Sequence, residues 1–196
     1  MPIPEFADHG ALPPFISGHA TSPSARSPYP ATMLEVVERF CTSLDRAKLL
    51  KGLNLYRKHL HSGGFVSGTQ WVDGSFIENV EANRKRSPRD IDVVTLFSRP
   101  LKYQVDPDTW ATDFESHIFG AYFDTRNMKL AYRCDTYGVD LDAGPRALVR
   151  NSTYWFGLFS DMRGSAEKKG ILEIPLAADP MEFLAIDQAI GGKFDV

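Results

Sequence analysis

Cysteine is scarce. Cys41 and Cys134 are the only two in 196 residues, and they lie far apart. A disulfide framework of the kind that holds small secreted domains is therefore excluded. Both read as reduced core residues of a cytoplasmic protein. Long apolar runs are missing too. No stretch approaches the roughly 20 residues that a membrane-spanning helix needs, and no signal-like segment opens the chain. Neither charge sign dominates: 22 Lys and Arg stand against 25 Asp and Glu, a formal net charge of −3. Such a chain has no global attraction for nucleic acid or an anionic membrane, so any polyanion site has to be local. No internal repeat is visible, which removes solenoids and arrays.

What is present is an ordinary globular composition, 43% hydrophobic and 24% charged. At this length one domain with a substantial core is expected. Residues 1–31 are rich in Pro, Ser, Ala and Gly, which block regular structure. Ile3, Phe6, Leu12, Phe15 and Ile16 are too apolar for a free tail, so this segment reads as an extended arm packed on a domain of residues 32–196.

Within that domain Thr32-Met33-Leu34-Glu35 is a capping box. Met33, Val36, Val37, Phe40 and Leu44 follow it at helical spacing. A second helix, capped at Thr42 or Ser43, carries Leu49, Leu50, Leu53, Tyr56 and Leu60 and stops at Gly63-Gly64. His59 and His61 stand two apart on it and do not share a face, which makes them a solvated helix end and not a metal pair. Strands are expected over residues 65–72, 130–141 and, as an edge, 171–176. Helices are expected over 107–120 and 180–190. Pro145 opens a further helix, whose aromatic side with Tyr154, Trp155 and Phe159 is assigned to the core.

The chain is organised around residues 71–97, W-V-D-G-S-F-I-E-N-V-E-A-N-R-K-R-S-P-R-D-I-D-V-V-T-L-F. Side chains on a strand alternate faces, so Asp90 and Asp92 point the same way. Two carboxylates on one face repel unless a cation sits between them. Oxygen ligands at that spacing suit Mg²⁺ or Mn²⁺ better than zinc. Upstream, Ser75-Phe76-Ile77-Glu78 reads as a second capping box. A helix N-terminus there would favour a phosphate, and Gly74 would let backbone approach a ligand. Arg84, Lys85, Arg86 and Arg89 form the only dense basic cluster. Alone, that cluster reads equally well as a solvated loop, and an isolated D-x-D as two exposed carboxylates at a strand start. Their adjacency to the Gly-Ser turn points to a metal–nucleotide site.

The order of these pieces, an apolar run, Gly-Ser, a spacer and D-x-D, resembles the DNA polymerase β-like nucleotidyltransferase superfamily. The whole chain more closely resembles a family of uncharacterised stand-alone bacterial nucleotidyltransferase-like proteins. The matching segments are G-A-L-P-P, W-V-D-G-S-F, P-R-D-I-D-V-V, C-D-T-Y-G-V-D-L and Y-W-F-G-L-F followed by K-K-G.

That resemblance implies an α/β (α+β) fold with a small mixed sheet flanked by helices. It implies a metal-dependent enzyme that transfers a nucleoside monophosphate from an NTP to a protein or RNA acceptor, in a toxin–antitoxin or phage-defence setting. Asp90, Asp92 and a third carboxylate would hold Mg²⁺ or Mn²⁺ and carry catalysis. Asp135 is chosen as that third group because it lies mid-strand in the matching C-D-T-Y piece. Asp140 has the opposite parity and would need a bulge at Gly138. Gly74, Ser75, Arg89 and Lys169 would bind the nucleotide. The alternative is a catalytically silent nucleotide- or partner-binding module of antitoxin type.

Overall fold

A five-stranded mixed sheet organises the computed structural model, which describes residues 3–16, 21–176 and 179–196. Its strands are β1 (Tyr29–Pro30), β2 (Gly68–Asp73), β3 (Ile91–Phe97), β4 (Cys134–Asp140) and β5 (Leu172–Pro175). Their spatial order is β1-β5-β2-β3-β4. β2 runs antiparallel to both β3 and β5, whereas β3–β4 and β1–β5 are parallel pairs. The helices are α1 (Met33–Phe40), α2 (Leu44–Ser62), α3 (Val80–Arg84), α4 (Leu101–Val105), α5 (Trp110–Asp113), α6 (Thr125–Tyr132), α7 (Pro145–Phe159) and α8 (Met181–Gly191). This is an α+β fold, with helices on a mixed sheet.

Strand parity divides the sheet into two faces. Val72, Ile91, Val93, Phe97, Cys134, Leu172 and Ile174 share the main core with the buried sides of α1, α2 and α8. The other face carries Trp71, Val94, Leu96 and Val139, covered by Phe159 and the half-buried Trp155 of α7. Helix starts follow the local chemistry. Thr32 accepts from the Glu35 amide at 3.2 Å while Glu35 accepts from the Thr32 amide at 2.7 Å. Ser43 caps α2 through the Arg46 amide.

The proline-rich segment lies along the domain. Ala11 and Leu12 are fully buried. Leu12 accepts a hydrogen bond from the Gly170 amide at 2.7 Å, and Ala11 bridges to Glu78. Residues 1–2 and 17–20 of the expected arm fall outside the described residues.

Several expectations change. The strand expected over 130–141 begins only at Cys134, because Asp124 caps α6 through the Asn127 amide at 2.8 Å and keeps Leu130–Tyr132 helical. Arg133 ends that helix in the left-handed region at φ 56°. The expected helix over 107–120 is a 3₁₀ turn, the short α5 and a π-type segment over Phe114–Phe123. β5 is not an edge, since Tyr29 and Pro30 pair outside it. Proline cannot donate to a ladder and so suits that outermost place. On α7, Trp155 and Phe159 face the sheet, but Tyr154, Phe156 and Leu158 are exposed. His59 and His61 pack on Tyr122 and Phe183 instead of standing in solvent.

Candidate active site

Three carboxylates stand abreast across three strands. Asp92 pairs with Asp73 across β2–β3 and with Asp135 across β3–β4. All three share the parity of Trp71 and Val94, so they lie on the α7 face at one end of the sheet. Asp90 precedes β3 directly and lines the same cleft as Asp73 and Asp92. Among the described residues no hydrogen bond or ion pair reaches the Asp92 carboxylate. Burial, with the nearby Asp90 and Asp135 charges, pushes its pKa up to about 6. Asp140 is at the opposite end of β4, beside Phe97, and is held by Arg99 at 2.8 Å. The register thus places Asp135, and not Asp140, beside the β3 carboxylate.

Two lysines from distant parts of the chain serve this row. The Lys129 ammonium on α6 bridges Asp90 at 2.6 Å and Asp135 at 2.8 Å. Those two carboxylates raise its own pKa. Lys169 is buried and meets Asp73 and Glu78, each at 3.1 Å, and the Gly74 carbonyl at 3.4 Å. It therefore lies beneath the glycine turn, with its donors directed to protein oxygens. Desolvation pushes Asp73 up to about 7, against the pull of Lys169. Asp73 Oδ1 and Asp135 Oδ1 are buried without a hydrogen-bond partner among the described residues.

The Gly-Ser turn differs from the capping box read in the sequence. Ser75–Ile77 is a single 3₁₀ turn, and the next helix, α3, starts at Val80 and has five residues. Glu78 cannot cap because its buried carboxylate is bound to Lys169 and, at 3.3 Å, to Arg84. No α-helix starts at Ser75, only this one 3₁₀ turn. A phosphate would instead meet the Ser75 hydroxyl, which no described residue engages, and the basic rim.

That rim encloses a cleft of about 430 Å³, within the range of small-molecule sites. Gly74, Ser75, Arg89, Asp90, Asp92 and Lys169 all line it, and Asp135 lies one strand further, next to Asp92. Arg84, Arg86 and Arg163 complete the basic side. Lys85 stands outside the wall, and Lys168 is paired with Asp161. The sequence pattern alone does not mark Asp73 or Lys129. V-D-G-S shows Asp73 at a strand end, but only the β2–β3 register puts it beside Asp92. Lys129 lies just before the stretch that reads as strand, and no local pattern marks it.

Among the described residues no group of three or more His, Cys, Asp or Glu side chains stands in metal-binding geometry. In kind, the donors fit a hard cation: all are carboxylate oxygens, Asp92 is unpaired, and two buried Oδ1 atoms lack partners. Among the described residues no helix is long and apolar enough to cross a membrane.

No curated protein and no solved structure matches the chain. A family profile does match, over residues 4–175, and by that match the chain belongs to DUF6932, a family of unknown function.

Proposed function

We propose that the chain is a metal-dependent nucleotidyltransferase that moves a nucleoside monophosphate from an NTP to a hydroxyl on a protein or RNA. The observation that carries this reading is the row Asp73–Asp92–Asp135, with Asp90, at the mouth of a glycine-serine turn. The resemblance of the Gly-Ser and D-x-D segments supports it. In the reaction the acceptor oxygen attacks the α-phosphorus, the bond to the β-phosphate oxygen breaks, and pyrophosphate leaves as the hydroxyl proton passes to water. Asp90, Asp92 and Asp135 are the residues that would hold Mg²⁺ or Mn²⁺, which when bound neutralises phosphate charge and lowers the acceptor pKa.

The remaining roles belong to the chain. Gly74 leaves room between the turn and Asp92. Ser75 offers a hydroxyl to a phosphate oxygen. Arg89 and Arg163, both exposed on the cleft, meet the polyphosphate. Lys169 acts by holding Asp73, Gly74 and Glu78 in place, and through them the turn.

One observation favours a second reading, a nucleotide- or partner-binding module without turnover: lysines already pair with Asp73, Asp90 and Asp135. The two readings separate in one experiment. The protein is incubated with each labelled NTP and Mn²⁺, beside protein and RNA acceptors. Transfer that disappears in Asp92→Asn supports the enzyme. NTP binding without transfer supports the module, and absence of NTP binding removes the enzyme and leaves only a partner-binding module.

A further inference from the structure

Lys129 stands where a divalent ion would compete for the same oxygens. Its ammonium contacts Asp90 and Asp135 at 2.6 and 2.8 Å, on either side of the unpaired Asp92. The side chain is 48% exposed and comes from α6, outside the sheet. Asp90 and Asp135 are only 23% and 19% exposed. The carboxylates are thus held by the sheet end, whereas the cation between them is on a flexible stem with open solvent beside it. Without Lys129, three neighbouring carboxylates would have no cation in contact, because Lys169 is engaged by Asp73 and Glu78.

We infer that Lys129 is a tethered cation that fills part of the divalent-ion site in the ion-free protein and must swing out when the ion binds. The inference rests on the metal-dependent reading above. It adds that the site's affinity for the ion is set by a residue that is not a ligand. An ammonium and a divalent ion drawn to the same carboxylate oxygens repel one another at these distances, so the two compete. Lys129 has a second effect: it keeps Asp90, Asp92 and Asp135 from repelling each other before the ion arrives.

The test is Mn²⁺ binding by calorimetry to wild type, Lys129→Met, Lys129→Arg and Asp92→Asn. Lys129→Met is expected to bind Mn²⁺ about tenfold more tightly, within the usual range for coupled ligands. Lys129→Arg, which keeps the charge, should stay within about threefold of wild type on the same scale. Its melting temperature should fall in chelator for Lys129→Met and recover with Mn²⁺. Equal or weaker Mn²⁺ binding by Lys129→Met would overturn the inference and make Lys129 a structural support. Wild type provides a check that needs no folded variant. Mn²⁺ should increase acylation of the Lys129 amine, read by mass spectrometry, and bound Mn²⁺ with unchanged labelling also overturns the inference. If neither wild type nor Lys129→Met binds Mn²⁺ while both are folded, the metal reading itself falls, and the inference with it.

Discussion

Gly74 passes so close to Asp92 that a Cβ built on it would lie 3.1 Å from the carboxylate carbon and collide with Oδ2. The same glycine has φ +85° and ψ −168°, a region essentially reserved for glycine that costs another residue about 1–3 kcal/mol. Both constraints belong to one device: the turn is wrapped onto the middle carboxylate of the row. Gly74→Ala should therefore lose roughly 2 kcal/mol of stability from strain alone. It should also lose Mn²⁺–NTP binding, because Asp92 has to move. Denaturant unfolding and calorimetry check the two parts. Intact nucleotide affinity in a folded Gly74→Ala protein would show that Asp92 does not contact the ligand.

Lys169 is the cation for two buried carboxylates, Asp73 and Glu78. Removing one partner from a buried ionic group leaves uncompensated charge, which costs about 3–5 kcal/mol. Lys169→Met should be destabilised by that order near pH 8, and less near pH 5, where Asp73 takes up a proton. Chemical denaturation at the two pH values measures the difference. A loss of under about 1 kcal/mol at both would contradict the support role and return Lys169 to direct nucleotide contact.

Asp73 and Asp92 also give the metal-free protein a pH dependence of definite sign. Their folded pKa values, about 7 and about 6, lie above the ordinary aspartate value of 3.8. Between about pH 4 and about pH 7 the folded state thus binds more protons than the unfolded chain. Stability contributed by these groups is present at the acid end and is lost as pH rises through the folded values. The slope reaches about 1.4 kcal/mol per pH unit for each proton. Asp92→Asn should flatten the curve between about pH 4 and about pH 6, with unfolding followed in chelator. A curve as steep as wild type would mean that Asp92 is an ordinary carboxylate.

The parts of the site that were legible in sequence are those written in local pattern. Asp90 and Asp92 stand two apart at the start of β3, Gly74-Ser75 marks the turn, and Thr32 and Ser43 announce α1 and α2. Three things depend on pairing between distant segments. Asp73 joins the row only through the register of β2 on β3. Lys129 arrives from α6, whose last residues, Leu130–Tyr132, read in the sequence as the start of the next strand. Glu78 sits at the right spacing for a capping box, yet Lys169, 91 residues on, takes its carboxylate. Exposure on α7 departs from the sequence expectation for a related reason. Aromatic content marks a helix as buried only if something covers every side, and here the sheet covers just the Trp155–Phe159 side.

The basic rim separates a nucleotide site from a polynucleotide site. Arg84 is tied to Glu78, and Arg86 donates to the Ser87 carbonyl at 3.0 Å. Arg89 and Arg163 are exposed at the cleft and are the better probes. A hydrogen bond to a charged group contributes about 1.5–3 kcal/mol, so Arg89→Ala and Arg163→Ala should each weaken NTP binding by about tenfold or more. Nucleoside affinity should hardly change, since a nucleoside has no phosphate to lose. For an RNA acceptor the signature is the salt slope. Each phosphate contact adds nearly one power of salt concentration to the fall in affinity. Removing Arg89 or Arg163 should lower that slope by about one if the side chain meets an RNA phosphate. The measurement is a salt titration of NTP and RNA binding for wild type and both variants. A lower RNA slope identifies a nucleic-acid acceptor. If RNA does not bind at low salt while NTP binding still responds to both substitutions, the rim serves the triphosphate, the RNA acceptor is removed, and protein modification or binding without turnover remain.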